Sequence, residues 1–233
     1  GLVLVAPTGT GKSTKQIIPN IFECNGSIVI IDLSGELFNK TSGKMKKRGY
    51  KIQVLNISEP EKGLRFNPMH YCYFPDNDYL TRRDLKRLGM MIAEYANSGD
   101  KQFWKIMSGK WKMTAFWALA DMYGNSEENK KYFHIGNASK MTDCFGEKGT
   151  GIEKFMKLYA SNHTMAKFKA FRNKEGRFLS NILGSSEAAL DPWDDPYISQ
   201  LTHKNTIDIE ALGKEKTVIY VNLPETEIED YAL

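Results

Sequence analysis

Four short apolar runs, rich in β-branched residues, punctuate the chain. They are Gly1–Val5 (GLVLV), Ser27–Ile31 (SIVII), Lys51–Ile57 (KIQVLNI) and Thr217–Leu223 (TVIYVNL). Each is bounded by turn-forming residues, which predicts strands. The first two are apolar without alternation, the pattern of strands buried on both faces of a parallel sheet. Helical segments separate them. One follows the first run from Lys12 to about Cys24, with Pro19 inside it. A proline there removes a backbone donor and should kink or shorten the helix. A second is predicted over Glu36–Arg48, before Gly49 and Tyr50 lead into the third strand. Strand, helix, strand, helix, strand in quick succession predicts a doubly wound α/β unit.

The pattern then changes. From about Asn77 to Leu201 no convincing strand is found, and apolar residues recur at helical spacing. Leu85, Leu88, Ile92 and Tyr95 mark one helix face. Phe103, Ile106, Met107, Trp111, Phe116, Leu119 and Tyr123 mark a long aromatic-rich helix. Ile152, Phe155, Met156 and Tyr159 mark a third, and Phe178, Ile182 and Ala189 a fourth that ends before the DPWDDP stretch at 191–196. Asn125–Lys131 is expected to be a polar loop. The partition predicted is therefore an α/β sheet domain from residues 1–76 and 202–233, interrupted by an all-α insertion over 77–201.

Charge sharpens this division. Residues 86–182 carry 17 Lys and Arg against 9 Asp and Glu, whereas 183–233 carry 3 against 11. A basic middle suits nucleic acid or an acidic partner, and equally a solvated helical surface. Two segments concentrate the question. KMKKRGYK at 44–51 is either a phosphate contact or the wet face of a helix on the sheet. KQFWKIMSGKWKM at 101–113 interleaves cations with Trp104 and Trp111. Such a set suits stacking on single-stranded bases, although aromatics at this spacing more often build a core. The three cysteines and four histidines are scattered, without metal-ligand spacing, and the cysteines suit reduced thiols. No apolar run is long enough for a membrane span, and no secretory leader is evident. The opening residues already read as a buried strand, which implies that the natural protein starts upstream.

The candidate chemistry lies in VAPTGTGKST, residues 5–14. Aligned on the Walker A pattern GxxxxGK[ST], Ala6 stands for the first glycine and Gly11-Lys12-Ser13 completes the motif. Gly9 and Gly11 let the backbone curl so that successive N–H groups converge on one anion. Lys12 would reach the β- and γ-phosphates, and the Ser13 hydroxyl would bind Mg²⁺. The helix that follows offers its N-terminus to the negative charge. The candidate nucleotide-binding residues are thus Thr8, Gly9, Thr10, Gly11, Lys12, Ser13 and Thr14, with ATP and Mg²⁺ as ligands. Asp32, at the end of the second strand, is placed as strand-end aspartates that hold Mg²⁺ through water are placed. The glutamate that usually follows such an aspartate is absent, since Leu33 stands there. Glu36 suits a carboxylate at a helix N-terminus.

Taken in order, LVLVAPTGTGKS, IIPNIF, SIVIIDLSGELF, RGYKIQVLNISEP, RFNP at 65–68 and NTIDIEAL…KTVIYVNLPE resemble the coupling ATPases of type IV secretion and conjugation, the TraG/TraD-like group. The resemblance spans nearly the whole chain, and in the middle it rests on helical character alone. It implies a RecA-like motor domain interrupted by an all-α domain implicated in substrate recognition. It further implies attachment to the cytoplasmic side of the cell membrane through N-terminal helices, and hexamers that use ATP to pass DNA–relaxase complexes or protein substrates to secretion channel components. Thr8 to Ser13 carry over as nucleotide-binding residues, and Asp32 and Glu36 as a motif near the nucleotide. The strand that bears the catalytic acid pair in such motors is not found after TVIYVNL, so weak ATP binding and poor turnover are expected of this stretch alone. Two other readings are a helical docking module for secretion substrates without ATPase activity, and a small-molecule kinase. The kinase reading lacks a lid-like arginine cluster.

Overall fold

The computed structural model describes residues 11, 13–96 and 102–223. The protein is mixed α/β, mostly helical, with a small parallel sheet. It divides into two compact units. One joins the residues up to 65 with those from 206 onward, and the other spans 66–205. The strand expected at residues 1–5 lies outside the described residues.

The first unit holds β1 (Ile28–Asp32), β2 (Lys51–Asn56) and β3 (Thr217–Asn222), within a residue of the expected limits. The order is β1-β3-β2 and both pairings are parallel, with Tyr220 opposite Ile30 on one side and Val54 on the other. The last strand in sequence is therefore the central one. Its Val218, Ile219 and Tyr220 are almost fully buried, as a strand flanked on both sides demands. Two helices, α1 (Ile18–Glu23) and α2 (Glu36–Lys47), cover one face. Ile21 of α1 and Leu37 and Met45 of α2 close a core with Ile30, Tyr50, Val218 and Tyr220. Burial of each such side chain contributes about 1.5–3 kcal/mol. Leu37, Thr41 and Met45 repeat every fourth residue on the inner face of α2, and Lys44, Lys46 and Lys47 lie outside. The Thr41 hydroxyl meets the Tyr220 hydroxyl at 2.7 Å, which satisfies both polar groups within this core.

The break that Pro19 predicts in the helix after the loop is present, and one other expectation changes. The helix after the loop is not continuous: Ser13–Ile17 is wound as a π-helix and α1 begins at Ile18, with Pro19 in its first turn. Proline has no N–H to give the carbonyl of Lys15, so the regular ladder breaks where the ring enters. Nor is β1 buried on both faces. Val29 and Ile31 are 56% and 66% exposed. They lie on the face opposite the one that Ile30 gives to α1 and α2, and among the described residues β1 is an edge strand.

The second unit contains no strand among its described residues. It is built of α3 (Asp78–Ala96), α4 (Gln102–Asn125), α5 (Ile135–Asp143), α6 (Glu153–Tyr159), α7 (Asn162–Arg172), α8 (Gly176–Leu190) and α9 (Pro196–Thr202). Helix α4 is the axis. Residues 111–120 are buried on every side, and α3, α5, α6, α7 and α8 pack around it. Helices α3 and α4 cross at Gly89 and Gly109. A Cβ added at Gly89 would lie 3.1 Å from the Met113 nitrogen, and one at Gly109 would lie 2.4 Å from the Met90 sulfur. The stretch expected as a polar loop from 125 instead finishes α4 and winds into a 3₁₀ turn over Glu127–Tyr132, capped by the Ser126 hydroxyl. Among the described residues no helix is long and apolar enough to cross a membrane.

Candidate functional site

Of the loop singled out in the sequence, Gly11, Ser13 and Thr14 are described, while Thr8, Gly9, Thr10 and Lys12 lie outside the described residues. Gly11 has φ +82°, a left-handed conformation that L-residues rarely adopt. A Cβ there would also come within 3.2 Å of the Thr14 hydroxyl. The Gly11 carbonyl accepts the Lys15 N–H (2.8 Å) and the Thr14 hydroxyl (3.2 Å), so the chain reverses into the helical turn that Ser13 opens. Among the described residues no hydrogen bond takes up the Ser13 hydroxyl, and its side chain is half-buried. A left-handed glycine leading into a helix start, beside a hydroxyl without a hydrogen-bond partner among the described residues, fits a phosphate with its divalent cation.

Asp32 ends β1 and is 2% exposed. One of its carboxylate oxygens accepts the Phe38 N–H at 2.8 Å, in the first turn of α2. It therefore caps that helix across the left-handed turn at Gly35, a partner the sequence did not reveal. Its carbonyl accepts the Leu223 N–H at 3.2 Å, which ties the ends of β1 and β3. Glu36 pairs with Lys40 one turn on, both about half exposed, in keeping with a helix-start carboxylate. Asp32 and Asn222 are register partners at the C-terminal ends of their strands, and Asn56 pairs with Asn222 from the other side. Sequence reasoning passed over Asn56 and Asn222. The available signal was three strands that each end apolar runs on Asp or Asn. Among the described residues the Asn222 side-chain oxygen is buried without a hydrogen-bond partner.

The basic segments resolve differently. In KMKKRGYK, Lys51 pairs with Asp208 (2.8 Å) and Glu215 (3.0 Å), and Lys44 lies 4.0 Å over the Phe22 ring. In 101–113, Trp111 is fully buried and donates its indole N–H to the Thr142 hydroxyl (2.9 Å). Lys112 is also fully buried and donates to the Ser108 hydroxyl, and loss of hydration pushes its ammonium down to about 7. Trp111 and Lys112 thus cannot meet a nucleic acid, and for Trp111 the core reading prevails over the stacking one. Trp104 is half-buried against Phe178, with ring centroids 5.5 Å apart. All three cysteines are free thiols, and the described residues contain no group of His, Cys, Asp and Glu that could hold a metal ion.

Comparison with known proteins gives the chain its relatives. Residues 2–232 match the family described as Type IV secretory system Conjugative DNA transfer. Protein VirD4 of Rhizobium radiobacter is 23% identical over 97% of this chain and 32% of its own length. Protein VirD4 of Agrobacterium fabrum (strain C58) and that of Rhizobium rhizogenes are each 22% identical over 97% of this chain and 33% of their own. The chain thus spans about a third of the length of these curated relatives. With the family match running almost from end to end, this chain belongs to the type IV secretion, conjugative DNA transfer family.

Proposed function

We propose that this chain is the nucleotide-binding part of a type IV secretion coupling protein, which holds ATP and Mg²⁺ on its first loop to drive transfer of DNA or protein. The observation that carries the nucleotide reading is left-handed Gly11 directly ahead of the helical turn opened by Ser13, within the Thr8–Thr14 motif. Backbone N–H groups around Gly9 and Gly11 would meet the phosphates, Lys12 would add its ammonium, and Ser13 would ligate the cation. Bound ATP supplies a phosphoryl group whose transfer releases the energy for translocation. Asp32 and Asn222 stand at the carboxyl ends of parallel strands, the edge at which open α/β sheets bind ligands. A RecA-like sheet with an all-α insertion is the architecture this reading assumes.

The family description supports conjugative DNA transfer as the setting. The cargo is then a DNA–relaxase complex or a secreted protein, handed to channel components by a ring of six copies on the cytoplasmic side of the membrane. Isothermal titration of the chain with MgATP tests the site. Saturable binding is expected, weakened about tenfold or more by Lys12→Ala, since a charge-assisted hydrogen bond contributes about 1.5–3 kcal/mol. A Lys12→Ala variant that binds MgATP as the parent does would overturn the reading.

A second role is favoured by the 17 cations against 9 carboxylates in residues 86–182. The helical unit would serve as the docking module for the transferred substrate.

A further inference from the structure

Three adjoining hollows, of about 780, 370 and 580 Å³, open along α3, α4 and α7 of the helical unit and share Lys86 in their walls. Trp117 and His163 line two of them, and Arg83 also lines two, so the hollows form one continuous groove. Lys86, Lys110 and Lys167 are exposed along it and have no ion-pair partner among the described residues. Lys174 adds a fourth cation, held 5.1 Å from the Phe178 ring. Among the described residues the two carboxylates that line the groove are both engaged, Asp78 with Arg82 (2.7 Å) and Glu94 with Lys105 (3.3 Å). The groove therefore presents unbalanced positive charge. Its floor is apolar and rich in methionine, with Met90, Met107 and Met113. Met91 and Tyr79 stand 56% and 74% exposed at the rim.

We infer that this groove docks an acidic peptide segment in which apolar residues are interspersed among the carboxylates. The inference rests on the reading of the helical unit as a docking module. Flexible lysine stems offer point charges to carboxylates at variable spacing, and methionines repack around different apolar side chains. A single-stranded nucleic acid fits less well. Stacking along a strand needs several free ring faces, whereas the Trp117 ring is already covered by the Arg82 guanidinium at 5.3 Å and the His163 ring at 5.0 Å, which leaves Tyr79 at the rim. Of the arginines that line the groove, Arg82 is held by Asp78 and Asp121, and Arg83 and Arg87 share Asp84, Arg87 through one contact at 3.2 Å.

The test is fluorescence anisotropy on the whole chain with a labelled peptide of mixed Glu and Leu. A Glu/Ser peptide, a Lys/Leu peptide and an oligothymidylate of matching length serve as comparisons. The expected result is that the Glu/Leu peptide binds best and weakens as salt rises. The Lys86→Glu, Lys167→Glu double variant should lose about tenfold or more in affinity. Reversal of Lys46 and Lys47 on α2, which alters net charge equally, should change little. Equal binding of the Glu/Ser peptide, equal loss from the α2 reversal, or preferential binding of oligothymidylate through Lys86 and Lys167 overturns the inference. Glu/Leu binding that survives the groove variant removes the groove but leaves the docking reading standing. Failure of every peptide to bind the parent chain removes both.

Discussion

Arg82 of α3 and Asp121 of α4 form an ion pair (Nη2–Oδ1 2.9 Å) in which the side chains are only 16% and 11% exposed. The other Asp121 oxygen accepts the Thr164 hydroxyl (2.6 Å) and the Ser161 N–H (2.9 Å) at the start of α7. The Arg82 carbonyl accepts the Trp117 indole N–H at 3.0 Å. One charge pair thus fixes three helices of the groove wall. Asp121→Ala would leave a largely buried guanidinium with Asp78 as its remaining carboxylate. The expected cost is about 3 kcal/mol, at the lower end of what breaking a buried pair costs. Asp121→Asn, which keeps an acceptor for α7, should cost less. Urea unfolding of the two variants checks this, and a loss of only a few tenths for Asp121→Ala would mean that the pair behaves as a surface one.

The crossing of α3 and α4 sets the depth of the same wall. Gly89 and Gly109 bring the two backbones together, and even a methyl group at Gly89 would sit 3.1 Å from the Met113 nitrogen. Backbone cannot swing aside as a side-chain tip can. Gly89→Val should therefore destabilise by about 1–3 kcal/mol through overpacking, in addition to any change in helix propensity. Gly184 on α8 has open space around its Cα and is the control: Gly184→Ala should be neutral or stabilising. Thermal melts of the two variants separate these expectations, and equal melting temperatures would show that the helices do not meet closely at Gly89.

Much of this was legible before any coordinates. β1, β2 and β3 announce themselves because a β-branched run such as SIVII, bounded by Gly26 and Ser34, has few other ways to bury itself. Helix α4 is legible because its rings recur at helical spacing. Helices α5, α7 and α9 were not found. The buried face of α5 includes Gly136, Ala138, Ser139 and Thr142, so its hydrophobic contrast is low, and the buried Thr164, Phe168 and Phe171 of α7 are interrupted by Lys167, Lys169 and Arg172. The strand order also escaped notice, because pairing between residues 28–32 and 217–222 is a long-range choice that no local pattern encodes. At the site, the glycine-rich motif was visible in sequence. The capping role of Asp32 and the Asn222 oxygen, buried without a partner among the described residues, emerge only once strand ends are aligned.

Asp32 offers a way to separate its structural partner from the proposed chemical one. Asp32→Ala removes the acceptor for the Phe38 N–H, so a cost of about 1 kcal/mol is expected, typical of a lost helix cap. Asp32→Asn retains an oxygen for that bond and should melt close to the parent. If Asp32 also holds Mg²⁺ through water, as strand-end aspartates can, the neutral amide should weaken MgATP while leaving affinity for ATP without the cation nearly unchanged. Titrations with and without Mg²⁺ measure this. Identical Mg²⁺ dependence in Asp32→Asn would confine Asp32 to capping.

Lys112 makes the stability of the helical unit depend on pH in a defined direction. Its ammonium is fully buried in α4 and donates to the Ser108 hydroxyl, and the described residues give it no carboxylate partner. Burial lowers its pKa from the ordinary 10.5 to about 7. Between those values the unfolded chain holds the proton and the folded chain does not. Stability should therefore rise with pH across that window, by up to about 1.4 kcal/mol per pH unit from this group. Below about pH 7 both states are protonated, so the full cost of the buried charge is present and this slope vanishes. Lys112→Met keeps the unbranched volume and removes the titration. The Ser108 and Ser186 hydroxyls still have each other at 3.1 Å in that variant. It should be more stable than the parent near neutral pH, and the difference should shrink as pH rises toward the ordinary lysine value. Denaturant melts of both proteins across the window test this. A parent whose stability runs parallel to that of Lys112→Met throughout would show that Lys112 keeps its proton in the fold.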